Sequence, residues 1–125
     1  MDLWQIILIL MLPLMMLVFG LFARMGLPKK VNWFAGYRTS LACKNQDTWA
    51  FAHRYWGRLM IVLSFFLIAL AIGGIILITR DTLTLEPALF AGVTGIATVV
   101  AVILSIIPTE IALRKEFDKN GERRQ

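Results

Sequence analysis

A chain of 125 residues that is 58% hydrophobic, with a mean hydropathy of +0.72, cannot hide its apolar surface in a water-soluble core. A domain this small buries only a modest fraction of what its unfolded chain exposes, so lipid is the solvent that fits. The formal charge of +5 lies outside three long apolar runs, which makes it a topology and lipid-surface signal and a poor nucleic-acid footprint.

The runs are Leu3–Ala23, Leu59–Thr79 and Pro87–Ile107, each of 21 residues and free of ionisable side chains. At about 1.5 Å rise per residue, such a run crosses about 30 Å of hydrocarbon. Backbone groups in lipid must satisfy one another, so the runs are expected to be helices. The first run competes with a cleaved signal peptide. It has no basic residue before it, it is long, and Arg24 follows it, which favours a retained helix. Pro13 removes an amide donor near its middle and predicts a kink. Gly26-Leu27-Pro28 is a breaker cluster that ends it.

Lys and Arg are distributed unevenly. Seven lie between the first and second runs, at positions 24, 29, 30, 38, 44, 54 and 58. Only Arg80 lies between the second and third, and five follow the third. Positive residues near span ends stay in the cytoplasm, so the N-terminus is expected outside and the C-terminus inside. The first loop carries a single acid, Asp47, and hence a formal charge of +6.

That loop, residues 24–58, reads in two halves. Trp33, Phe34 and Tyr37 with Gly36 suit the headgroup zone, where aromatic residues concentrate. Asn45-Gln46-Asp47 then reads as a helix start, with Asn45 as cap and Asp47 in the positive first turn. Trp49, His53 and Trp56 follow at spacings of four and three, on one helical face. Arg54 and Arg58 take the neighbouring face. The spacing predicts an amphipathic helix from about Gln46 that either lies on the membrane or runs into the second span.

The turn 80–86 is short and predicts a tight antiparallel hairpin. In the third run, Ala91, Gly95, Thr98 and Ser105 share one side. Small residues at such spacing, with Gly73-Gly74 in the second run, permit close helix approach, for internal packing or for an oligomer through these two spans. Pro108 is expected to end or bend the third helix. The tail 108–125 offers Ile111, Leu113 and Phe117 as interfacial anchors and is expected to fray at its end.

The residues Asn32, Gly36-Tyr37-Arg38-Thr39, Asn45, Trp49, His53 and Gly57-Arg58 resemble the signature of the SdpI family of bacterial membrane proteins. That signature is an Asn, a G-[YI]-R-T, a cap residue, a Trp and an N/H-[RK] pair leading into a transmembrane helix. The following two-helix hairpin agrees with the family in layout, and the chain looks like a short member similar to the family's C-terminal domain. The family is named for an immunity protein that protects cells from a secreted peptide toxin, also described as a signalling protein that holds a repressor at the membrane. The resemblance implies a multi-pass protein of the bacterial inner membrane with a binding or signalling role in peptide-toxin immunity or envelope stress.

The candidate ligand- or lipid-binding residues are Asn32, Gly36, Tyr37, Arg38, Thr39, Asn45, Trp49, His53, Trp56 and Arg58. Arg38 is the sharpest. Its guanidinium suits bidentate binding of a phosphate or carboxylate, with Tyr37 and Thr39 adding hydrogen bonds. The alternative is a structural arginine tied to helix ends or carbonyls. His53, the single histidine, reads as a packed or hydrogen-bonded interfacial residue rather than a proton sensor. Trp33, Trp49 and Trp56 read as interfacial anchors, with cation–π or ligand stacking as the rival role. Asn32 and Asn45 suit turns and caps, and Gly36 a special backbone angle.

No metal, cofactor or catalytic group is expected. Cys43 stands alone, without a Cys/His cluster of ligand spacing. No nucleophile has an adjacent base, and no intramembrane charge marks a transport path. The expected class is therefore an all-α membrane protein, a single domain of three transmembrane helices with a structured cytoplasmic loop. Its partners would be anionic lipid headgroups at the basic loop, and a toxin peptide or regulatory protein. The alternative is an accessory subunit whose basic loop binds anionic lipid or a partner protein.

Overall fold

The structure, a computed structural model, describes residues 1–32 and 36–124. The expected headgroup placement of Trp33 and Phe34 falls outside those residues. Three helices follow in order: α1 (Leu3–Arg24), α2 (Gln46–Thr79) and α3 (Pro87–Glu116). All three are long and apolar enough to cross a membrane, and the chain is an all-α, multi-pass membrane protein.

The bundle is turned out toward lipid. Phe66, Leu70 and Ile96 are about two-thirds exposed, while Ser64, Thr94, Thr98, Ser105 and Thr109 are buried. Lipid tails are as apolar as Leu, so nothing drives large side chains inward. Small residues that let backbones approach are favoured there instead. Each buried hydroxyl is satisfied within its own helix: Thr98 donates to the Thr94 carbonyl at 2.8 Å and Thr109 to that of Ser105 at 2.9 Å. Thr94 also reaches across to the Ile9 carbonyl of α1 at 3.4 Å. Of the small-residue side expected on α3, Thr98 and Ser105 are buried, whereas Ala91 and Gly95 are half-buried. Gly74 seats the Phe90 ring, but Gly73 faces open space.

Among the described glycines, the closest backbone approach joins α1 to α2. A Cβ added at Gly57 would lie 2.5 Å from the Arg24 amide nitrogen and 2.8 Å from the Gly20 carbonyl oxygen. Two glycines, Gly20 and Gly57, thus set the crossing of these helices.

α2 has 34 residues, or about 51 Å of helix, far more than the hydrocarbon core needs. It resolves the choice left open for the amphipathic stretch: Gln46–Arg58 is the first part of one continuous helix. The Asn45 cap is as expected, with its Oδ1 accepting from the Thr48 amide at 2.9 Å. The Thr48 hydroxyl accepts in return from the Asn45 amide at 3.1 Å, completing a capping box. The bundle end that carries Arg24, Asn45 and Glu116 is called the basic end below.

Of the two outcomes expected at Pro108, an end is excluded, because α3 continues to Glu116. Two further expectations at that end are corrected. Leu113 and Phe117 are fully buried and are not interfacial anchors. The tail does not fray among the described residues. Phe117 and Arg123 form an antiparallel bridge, the Asp118 carboxylate accepts from the Asn120 and Glu122 amides, and Arg124 Nε donates to the Arg114 and Phe117 carbonyls. Asn45 Nδ2 then ties the turn to α2, donating to the Gly121 carbonyl at 2.7 Å.

Candidate functional site

The G-Y-R-T turn, the start of α2, the end of α3 and the returning tail meet at the basic end around Tyr37, Ala42, Ala52, Leu113 and Phe117. Tyr37 is the hub. Its amide donates to His53 Nε2 at 3.0 Å, and its hydroxyl donates to Glu110 Oε1 at 2.7 Å. Its ring packs on Trp56, with centroids 5.4 Å apart. Burial first, and then the Glu110 carboxylate, push the phenol pKa upward, so the hydroxyl remains a donor. Tyr37 thus lies at the end of the bundle where headgroups are expected, but its side chain is buried against α3 rather than turned to lipid.

His53 is fully buried. Because Nε2 accepts from Tyr37, the ring proton resides on Nδ1, which lies 2.8 Å from the Trp49 carbonyl, so the network assigns the neutral tautomer. Gly36 makes this contact possible. Its φ is +103°, and an added Cβ would lie 2.4 Å from His53 Nε2.

His53 lies before the apolar run that starts at Leu59. Burial lowers its pKa from the ordinary 6.5, outweighing the opposite effect of its bond to Trp49. The folded protein therefore takes up this proton less readily than the unfolded chain. Its stabilising contribution is complete above about pH 6.5 and is lost progressively as the pH falls below that value. Acidification should release the turn at residues 36–40, seen as lower protection there relative to the intrinsic exchange rate at each pH, while the middle of α3 stays protected. Unchanged protection between pH 7.5 and 5 would refute this.

Trp49 is buried, not an interfacial anchor, and its indole donates to the Pro28 carbonyl at 2.7 Å. Its ring packs on His53 at 4.2 Å. Trp56 is half-buried and donates to Ser105 Oγ at 2.9 Å. Gln46 pins the loop by donating to the Lys29 carbonyl. Asn32 donates to the Lys30 carbonyl at 3.1 Å, a turn role as expected.

Arg38 is exposed. With Asn32, Thr39 and Cys43 it lines a separate cleft of about 440 Å³. Tyr37 cannot assist there, since its hydroxyl is used at Glu110, and Thr39 Oγ1 accepts from the Ala42 amide at 3.3 Å. Arg54 and Arg58 are exposed on the outer face of α2. Asp47 is exposed as well and makes no ion pair with His53. Among the described residues no group of His, Cys, Asp or Glu could hold a metal ion.

Glu110 and Gly121 carry no expected role, and Leu113 and Phe117 are expected as interfacial anchors rather than core, because all four follow the last apolar run, where charge suggests a solvated tail. Asp118-Lys119-Asn120-Gly121 is nonetheless a turn signature, and Leu113 and Phe117 are four apart on one face. Together these could have signalled a folded return.

The match to known families covers the turn and α2 side of this network but stops before Glu110 and the returning tail. The model of the SdpI/YfhL protein family matches residues 29–109, from the G-Y-R-T turn through α2 to the end of the third apolar run. The chain belongs to the SdpI/YfhL family. No curated protein and no solved structure matches it. In this SdpI/YfhL member the motif residues do not converge on one polar pocket. Gly36, Tyr37, Trp49 and His53 lock the turn onto α2, while Arg38 and Arg58 face outward.

Proposed function

We propose that this protein is an inner-membrane binding and signalling protein of the SdpI type, acting without catalysis in peptide-toxin immunity or envelope stress, with its basic end in the cytoplasm. The observation that carries the reading is a pair of apolar hollows that share Phe19 and Trp56. One, of about 400 Å³, is lined by Phe22, Leu27 and His53. The other, of about 300 Å³, lies between α1 and α3 over Met60. An apolar segment of a membrane-active peptide suits such a surface, which runs along α1, from the first loop and α2 to α3.

Trp56 links that surface to the network. It borders both hollows, packs on Tyr37 and donates to Ser105 of α3. Occupancy of the hollows would thus be felt at the G-Y-R-T turn and the tail. The absence of catalysis is supported by the use of Tyr37 and His53 in buried packing contacts and by Arg38 lining a different cleft.

The test compares cells with and without the gene across a panel of membrane-active peptides. At least one peptide should kill the deleted strain at a lower concentration, and the intact gene, but not one carrying Trp56→Ala, should restore survival. Equal killing across the panel would overturn the reading.

A further inference from the structure

The basic end holds a second cleft, of about 420 Å³, which meets the Arg38 cleft at Ser40 and shares no residue with the apolar hollows. It lies between the loop before α2, the last turns of α3 and the returning tail. Lys44, Arg114, Lys119 and Arg124 line it, together with Glu110 and Asp118.

Its two acids are already served by the protein's own donors. Glu110 accepts from the Tyr37 hydroxyl, and Asp118 from the Asn120 and Glu122 amides. Among the described residues none of the four cations pairs with either carboxylate, and the single ion pair, Arg123–Glu116, lies outside the cleft. Four cations from three segments are thus held around one concavity. The tail fold is what delivers Lys119 and Arg124 there, because Arg124 is anchored through Nε to the Arg114 and Phe117 carbonyls.

Depth restricts the ligand further. Glu110 and Arg114 lie three and seven residues past Ile107, where the third apolar run ends. Along a helix that is about 5 and about 10 Å, whereas the headgroup layer of each leaflet is roughly 5–8 Å thick. Glu110 therefore lies within the headgroup layer and Arg114 just beyond it, so the cleft opens at the outer edge of that layer, within reach of lipid phosphates for long basic side chains. A compact anion with several acceptor oxygens suits lysine and arginine donors converging on one point.

We infer that this cleft binds a phosphate group, that of an anionic lipid headgroup or of a soluble phosphate, through Lys44, Arg114, Lys119 and Arg124. The inference is independent of the peptide reading, since it uses neither the apolar hollows nor survival of cells. The experiment uses the full chain in neutral detergent. Retained lipids are counted by native mass spectrometry after addition of phosphatidylcholine, phosphatidylglycerol or phosphatidic acid, and inorganic phosphate is added in a parallel arm.

The wild-type protein should retain one anionic lipid in preference to phosphatidylcholine. Lys44→Gln and Arg114→Gln should each weaken that preference about fivefold, with unchanged helical content by circular dichroism. Arg54→Gln with Arg58→Gln, which removes two exposed cations elsewhere at the same end, should leave it intact. Displacement of the lipid by inorganic phosphate would support the same cleft with a soluble source. No preference for anionic lipid together with no binding of phosphate, or equal loss in the Arg54→Gln/Arg58→Gln control, would overturn the inference.

Discussion

Replacing Gly57 by alanine should cost roughly 3 kcal/mol and separate α1 from α2, while the same change at Gly73 in the same helix should be nearly neutral. A methyl group at Gly57 meets backbone: the Arg24 amide nitrogen at 2.5 Å, the Gly20 carbonyl oxygen at 2.8 Å and the Arg24 Cα at 2.9 Å. Backbone atoms inside two packed helices cannot turn aside as a flexible side chain can. The helices must move apart, and contact is lost along the crossing. At Gly73 a Cβ meets nothing within 4 Å, and the position faces lipid. Unfolding in a mixed detergent titration measures both variants side by side. Equal midpoints for Gly57→Ala and Gly73→Ala would show that the Gly20–Gly57 approach does not set the α1–α2 crossing.

Gly36→Ala should undock the G-Y-R-T turn without unfolding the spans. A side chain at φ +103° costs about 1–3 kcal/mol, and the new methyl would lie 2.4 Å from His53 Nε2. The cheapest escape is for the turn to leave His53. The Tyr37 amide then loses its acceptor, and its hydroxyl is drawn from Glu110. A local loss of about 2 kcal/mol corresponds to roughly 30-fold faster amide exchange at residues 37–44. Exchange in the middle of α2 and α3 should stay as in the wild type. His53→Ala separates the two causes. It removes the obstacle as well as the acceptor, so in its background Gly36→Ala should retain only the backbone strain and have a smaller effect. The same penalty with and without His53 would show that contact with the ring is unimportant.

The two glycines differ in how far the sequence announced them. Gly36 stands in a polar, aromatic stretch where a special backbone angle is a natural expectation. Gly57 stands inside a helical pattern, where a single glycine carries no clear local signal, and only the approach of α1 explains it. The same contrast separates the tryptophans. Their spacing with His53 placed Trp49 and Trp56 on one face, and that face exists. Which way it turned was not local information. It points toward the first loop, where Trp49 meets the Pro28 carbonyl and His53 the Tyr37 amide, with Trp56 reaching Ser105 of α3, so Trp49 is buried.

By itself, the sequence determined the three helical spans, the Asn45 helix start, the hairpin turn at 80–86 and the family signature around G-Y-R-T. These depend on run length, hydropathy and short-range capping, all of which act within a few residues. Only the tertiary structure decided that Tyr37 bonds to Glu110 across 73 positions, that Asn45 holds Gly121 across 76, and that Phe117 is core. These pairs join segments on opposite sides of two membrane spans. No local periodicity encodes them, and they form only when the packing of α1, α2 and α3 brings the loop and the tail to the same end of the bundle.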